Sequence, residues 1–295
     1  MPKKSKKSTK RTKPARKAPR PAAKAKPTPP TPRTTYSIYQ IDAFTTRPLH
    51  GNPAAVVLVD KAWPSDESML AIAGETNQPM TAFVLRGKGK KIPLRWFNHQ
   101  QEFELCGHAT IAAAHVLFTH EKSKGASLTF STAAGDLAVH HDDNLYVMAM
   151  QARPPVRVRV TNDLCAALGR EPAEVHVAGD ILAAVFDNKR AVHELAPDIA
   201  RLARLDAKGI IVTAPAAGHD FVSRYFAPRH GLNEDHATGS SHCILVPYWA
   251  KRLKKNRLTA HQVSHRSGEM WCELRGERVL LGGHAVTVGH GRITV

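Results

Sequence analysis

The segment His108–Phe118 constrains the fold more than any other stretch of the chain. It has few helix breakers and is apolar almost all round, so as a helix it has no face to give to water. Protein must wrap it on every side. A second apolar helix, running through Ile244, Leu245 and Trp249 to Leu253, makes the same demand. A polar-Gly-polar turn opens each of them: Cys106-Gly107-His108 the first, Thr238-Gly239-Ser240 the second. One central helix per half, surrounded by strands, is the expected plan.

The rest of the pattern supplies the strands. Tyr36–Phe44 and Ala54–Val59 read as strands around a turn at His50-Gly51-Asn52-Pro53. Pro64-Ser65-Asp66-Glu67 starts a helix, with Met69, Ile72 and Ala73 as its buried face. Thr81–Arg86, Ile92–Phe97, Leu128–Ser131, Leu137–Val139 and Leu145–Met150 are strands, and Pro154-Pro155 marks a boundary near residue 152. Beyond it, Thr161 or Asn162 caps a short helix that ends near Gly169. Ile181–Phe186, Ile210–Ala214 and Asp220–Phe226 are strands. Three closing strands are expected near Ala260–Ser264, Met270–Leu274 and Val279–Val288. There is no regular alternation of strand and helix, which argues for an α+β fold with mixed sheets in two halves, 36–152 and 153–295.

The chain has 295 residues and a formal net charge of +17. The excess is local. Residues 1–35 hold 13 of the 42 Lys and Arg and no acidic residue, leaving 29 basic against 25 acidic residues in the remainder. This segment is rich in Lys, Pro and Ala and has no apolar run, so it is expected to be disordered. Its lack of a hydrophobic centre excludes a secretory signal. It suits weak, salt-dependent contact with nucleic acid or another polyanion, though no aromatic residue precedes Tyr36 to stack on a base. Four cysteines without C-x-x-C spacing point to a reducing, cytoplasmic setting. No apolar stretch is long enough to span a membrane.

Helix N-termini present unpaired N–H groups and a partial positive charge, and glycine lets a ligand approach the backbone. Two such termini facing each other would cradle a carboxylate. Around them, His108 exchanges a proton near neutral pH, and Cys106 becomes a base or nucleophile if its thiol is lowered. Asp235 is a candidate general acid/base, and Ser240 can bond a substrate oxygen. Singly, each residue has an ordinary structural role: a cap, a small buried hydrophobe, a charge complement to a helix. The pairing of two matching turns favours chemistry. Phosphate-loop and dinucleotide motifs are absent. The seventeen histidines show no helical H-x-x-x-H with a carboxylate, so no metal site is expected. Gly239-Ser240-Ser241-His242 is not a serine-hydrolase elbow.

Spaced motifs carry a family resemblance. They are Ile41-Asp42-Ala43-Phe44, Gly51-Asn52-Pro53-Ala54-Ala55-Val56, Arg95-Trp96-Phe97, Leu105-Cys106-Gly107-His108-Ala109-Thr110 and Tyr225-Phe226-Ala227-Pro228. Glu234-Asp235, Thr238-Gly239-Ser240 and Pro247-Tyr248-Trp249 complete the set. In this order, from about Tyr36 to Val295, the chain resembles the phenazine-biosynthesis PhzF-like family. The resemblance implies a diaminopimelate-epimerase-like fold, two pseudo-symmetric halves each curled around a central helix, with the site between them. It implies isomerase or epimerase chemistry on a small carboxylate-bearing metabolite without a cofactor, and it is compatible with a homodimer. It places His108, Asp235 and Ser240 on the family's site residues and brings Asn52, Gly107, Thr238 and Gly239 to the substrate.

One departure matters most. The family's catalytic Glu lies in a short stretch that here reads Asn77-Gln78-Pro79-Met80-Thr81-Ala82-Phe83, with Met80 at the Glu position. A thioether carries no proton. Three outcomes follow: a different base, with Cys106 foremost; a carboxylate from Glu75, Glu102 or Glu104; or a site that binds without turning over. Thr238 stands where a racemase of this fold would hold a second thiol, which favours one-sided proton chemistry over racemisation.

Overall fold

A computed structural model of the chain describes residues 34–87 and 89–295. Most of the segment 1–35, and with it the expectation of disorder, lies outside the described residues. Thr34 and Thr35 belong to the folded body: the Thr34 and Val295 backbones exchange two hydrogen bonds, and Thr35 opens the first strand.

The first half runs β1 (Thr35–Ala43), β2 (Asn52–Val59), α1 (Asp66–Thr76), β3 (Thr81–Leu85), β4 (Ile92–Phe97) and β5 (Glu102–Phe103). It continues through α2 (Gly107–Thr119), β6 (Ser127–Thr132), β7 (Gly135–Asp142) and β8 (Leu145–Gln151). The second half begins β9 (Val156–Val158), α3 (Asn162–Leu168), β10 (Glu174–Ala178), β11 (Ile181–Val185), α4 (Lys189–His193) and α5 (Ile199–Leu202). Then come β12 (Gly209–Pro215), β13 (Phe221–Ala227), β14 (Leu232–Asp235) and α6 (His242–Leu253). The chain closes with β15 (Arg257–Gln262), β16 (Gly268–Arg275), β17 (Arg278–Gly283) and β18 (Ala285–Thr294).

The pairing repeats. In the first half β1 is antiparallel to β2, β2 parallel to β3, β3 antiparallel to β4, and β4 parallel to β6, with β7 and β8 following antiparallel. In the second half β10 is antiparallel to β11, β11 parallel to β12, β12 antiparallel to β13, and β13 parallel to β15, with β16 and β17 following antiparallel. Short side strands match as well: β5 on β4 and β14 on β13. Each precedes its half's apolar helix. The last strand, β18, returns to pair with β1, as β9 pairs with β10, and β17 joins β8 across the middle. This is the mixed-sheet α+β architecture expected, without a parallel doubly wound sheet.

Local chemistry explains most elements. Ser65 Oγ caps α1 at the Ser68 N–H, and Asn77 ends that helix in the left-handed region, φ 50°. Its buried residues are Met69, Ile72 and Ala73, which pack on Val57, Val59, Phe83 and Phe97 outside the first-half sheet. Thr161 caps α3 and Gly169 closes it at φ 72°. Helix α2 buries every residue from Ala109 to Leu117.

Other elements depart from the sequence pattern. Strands β9, β10 and β14 and helices α4 and α5 are too short to show a period. The single strand expected over Val279–Val288 is two. The His284 carbonyl accepts the Phe44 and Thr45 N–H groups at 2.7 and 3.3 Å, and the chain turns there from the second-half sheet to β1. The strand expected at Ala260–Ser264 is β15, ending at Gln262. Beyond it Ser264 Oγ turns to the His236 carbonyl and the Ser267 N–H.

Two contacts lock the halves. Phe44, at φ 64°, is fully buried, and its ring lies against the positions where Cβ atoms of Gly239 and Gly283 would stand. Arg266 binds Asp42 Oδ1 at 2.7 Å together with the carbonyls of His50 and Gly51. Asp42 Oδ2 takes the Leu49 N–H at 2.7 Å. Burial pushes the Asp42 carboxyl up, and the Leu49 N–H and the Arg266 guanidinium counter it.

At the far end of α2, His115 Nδ1 meets the Tyr146 hydroxyl and Nε2 meets Thr287 Oγ1, each at 3.0 Å. Burial, with His120 and His141 alongside, pushes His115 down to about 4. The unfolded chain binds a proton at about 6.5, so this group favours the folded state above that pH and the benefit is lost as pH falls toward 4. His115→Leu should flatten the acid side of the stability curve in that window by on the order of 1–3 kcal/mol, read by urea denaturation at stepped pH. Gly283→Ala, which drives a methyl into the Phe44 ring, should cost about 1–3 kcal/mol in the same assay, and adding Phe44→Leu should recover part of it.

Candidate active site

The two helix mouths abut. A Cβ built on Gly107 would lie 4.0 Å from Gly239 Cα, so the turn of one half faces that of the other. A Cβ on Gly239 would stand 2.9 Å from Leu281 Cδ2 and 3.3 Å from Phe44 Cζ, so a larger residue there would have to displace the Leu281 side chain. Neither α2 nor α6 has an acidic residue in its first turn, so both helix dipoles remain uncompensated. In α2 the first backbone bond to the turn is Thr110 N–H to the Cys106 carbonyl. Among the described residues no backbone acceptor takes the N–H groups of Gly239 and Ser240. The junction is a ready anion cradle.

Asp235 ends β14 and is 9% exposed. It is fixed from both halves. Asn52, at the start of β2, donates Nδ2–H to Asp235 Oδ1 and to the Ala237 carbonyl, both at 2.8 Å. Thr238 donates its hydroxyl to Asp235 Oδ2 at 2.5 Å. Each carboxylate oxygen thus keeps acceptor capacity for a substrate. The acceptor of the same amide, Asn52 Oδ1, is buried without a partner among the described residues.

Gln262 completes this frame and is absent from the sequence reading. Its Nε2 donates to the Asp235 carbonyl at 2.8 Å, and its Oε1 accepts the Thr238 N–H at 2.8 Å. The available signal is its position. Leu258, Ala260 and Gln262 share the buried face of β15, and a polar side chain on an apolar face needs a polar partner.

Across the junction, Cys106 caps α2 from an extended conformation. Its Sγ lies 3.5 Å from His108 Nδ1. Burial pushes the thiol up to about 12, and the Asp235 charge adds to this, so the sulfur carries its proton at neutral pH. Burial pushes His108 down to about 4 against the attraction of Asp235, so the ring is neutral. Its Nε2 has no partner among the described residues. His236, beside Asp235, is also pushed down by burial.

Ser240 is exposed at the mouth, and its hydroxyl makes no hydrogen bond among the described residues; Ser241 Oγ instead donates to the Thr238 carbonyl. Met80 is 7% exposed in the central core, and its carbonyl accepts the Ala55 N–H. Of the alternative carboxylates, Glu102 is taken by a bidentate pair with Arg95, both bonds 2.6 Å. Glu75 and Glu104 are exposed. No group of three metal-ligating side chains converges among the described residues. A surface hollow of about 380 Å³ lined by Asp220, Lys255, Arg257 and Trp271 lies apart from these turns and contains none of this chemistry. No helix among the described residues is long and apolar enough to cross a membrane.

Known proteins share this arrangement of chain. An uncharacterised isomerase of Pseudomonas aeruginosa is 49% identical over 255 residues, covering 86% of this chain and 97% of that one. The crystal structure of a phenazine biosynthesis protein of the PhzF family from Enterococcus faecalis superposes with a TM-score of 0.85 at 39% identity, over 88% of this chain and 99% of that one. A probable proline racemase from Agrobacterium radiobacter has the same fold, with a TM-score of 0.61 at 11% identity over 88% and 92% of the two chains. The phenazine biosynthesis-like protein family matches residues 41–291, almost the whole of the described body, and the chain belongs to it.

Proposed function

We propose that the protein is a cofactor-independent isomerase that moves a proton on a small carboxylate-bearing metabolite. The observation that carries this reading is the abutment of two uncompensated helix mouths, with Asp235 fixed at their junction. The mouths would hold the substrate carboxylate through the N–H groups around Gly107 and Gly239. Ser240, with its free hydroxyl, would bond a substrate oxygen. Asp235 would take and return the carbon-bound proton, as the carboxylate at the junction, whereas burial keeps the proton on the Cys106 thiol. Met80 stands where the family resemblance puts a catalytic Glu, so the base is assigned to the other side of the junction. The relative from P. aeruginosa, named an isomerase, supports the reaction class.

A second reading keeps the cradle and drops turnover. Its support is Met80, an apolar side chain buried at the expected base position. The basic segment 1–35 adds a separate, salt-dependent affinity for nucleic acid or other polyanions, and a homodimer is the assembly compatible with the resemblance.

Incubation with a panel of small carboxylates in deuterated water should give deuterium at the carbon next to the carboxylate. Asp235→Asn should reduce that exchange by about 10²–10⁴-fold. No incorporation by the folded protein with any member of the panel, or full exchange by the variant, would refute the isomerase reading. Under the binding-only reading, wild type shows no exchange and Met80→Glu introduces it. Asn52→Ala leaves Asp235 and the Ala237 carbonyl short of a buried donor and should cost about 1–3 kcal/mol in urea denaturation. Retention on heparin should fall steeply with salt and disappear when residues 1–33 are deleted.

A further inference from the structure

Cys106 is buried against His108, in the turn that opens α2, yet a protonated thiol cannot serve as base. The pair has two hydrogen-bonding arrangements. Either the thiol donates to an imidazole lone pair at Nδ1, or an Nδ1–H donates to sulfur. A thiol sulfur is a weak acceptor, whereas the lone pair of a neutral imidazole nitrogen is a strong one. Cys106 Sγ makes no cap bond to the N–H groups of the helix, so its S–H is free to turn toward the ring. In a neutral ring whose Nδ1 is an acceptor, the proton resides on Nε2.

We propose that Cys106 is a positioning residue: its S–H donates to His108 Nδ1 and fixes the ring as the Nε2–H tautomer, leaving Nε2–H as a free donor for a substrate oxygen. The orphaned state of Nε2 is the second observation behind this, since a buried ring nitrogen without a protein partner calls for one from a ligand. A neutral imidazole N–H stabilises charge that builds on a carboxyl or carbonyl oxygen while keeping its own proton. The roles at the junction then separate: Asp235 handles the carbon-bound proton, and His108 stabilises the oxygen. The consequence for catalysis rests on the isomerase reading, but the tautomer itself is measured without substrate, so the two stand or fall separately.

The test is long-range ¹H–¹⁵N NMR of the ¹⁵N-labelled full chain at neutral pH, with the His108 signals identified by their loss in His108→Ala. The expected spectrum shows an unprotonated, hydrogen-bonded Nδ1 and a protonated Nε2. In Cys106→Ala the Nδ1 resonance should move to the position of an unbonded ring nitrogen, and Cys106→Ser, which restores a donor, should bring it back. Raman spectroscopy supplies an independent view. The S–H band lost in Cys106→Ala should lie below the free-thiol frequency in wild type and return to it in His108→Ala. A wild-type ring protonated at Nδ1 overturns the proposal, as does an S–H band indifferent to His108→Ala. Both of those results come from proteins that keep Cys106, so a poorly folding Cys106→Ala leaves the outcome decidable.

Discussion

The Asn52 amide is the contact on which the rest of the site depends. Its NH₂ spans Asp235 Oδ1 and the Ala237 carbonyl, so one side chain from the first half sets both the carboxylate and the backbone of the second-half turn. The orientation of the amide is forced, because both partners are acceptors. With Thr238 on the other oxygen and Gln262 on the backbone, the carboxylate is held without a cation among the described residues.

That arrangement needs the two halves in fixed register, and the topology supplies it. Each half spends its strands enclosing one apolar helix, and β18 crosses back to seal the first half. Phe44 enters the second half where Gly239 and Gly283 leave room for its ring. The Asp42–Arg266 pair ties the loop before β2 to the loop after β15. These contacts converge on the strands that carry Asn52, Asp235 and Gln262. The site is therefore a product of the inter-half packing, and small residues there are demanded by volume.

Electrostatically the junction is sparsely charged. Cys106 and His108 are both held neutral by burial, which leaves the Asp235 carboxylate and the two helix dipoles as the main local fields. A carboxylate substrate would meet positive helix ends and unbonded N–H groups, with Asp235 to one side. The same desolvation that silences Cys106 as a base makes its S–H useful as a donor.

Much of this was legible in the sequence. The apolar helices, the caps at Ser65 and Thr161, the face formed by Met69, Ile72 and Ala73, and the two glycine turns all follow from short-range periodicity and turn chemistry. The resemblance correctly gave the family and the two-helix architecture. The break at His284, the short strands β9, β10 and β14, and the part played by Gln262 were not legible, because each is decided by partners distant along the chain. Sequence alone determined that two helices must be enclosed and that polar turns must open them, since an apolar surface has only one stable environment. Tertiary structure alone decided which proton each side chain carries and which oxygen it faces, because protonation depends on burial and on charges brought together from opposite ends of the chain.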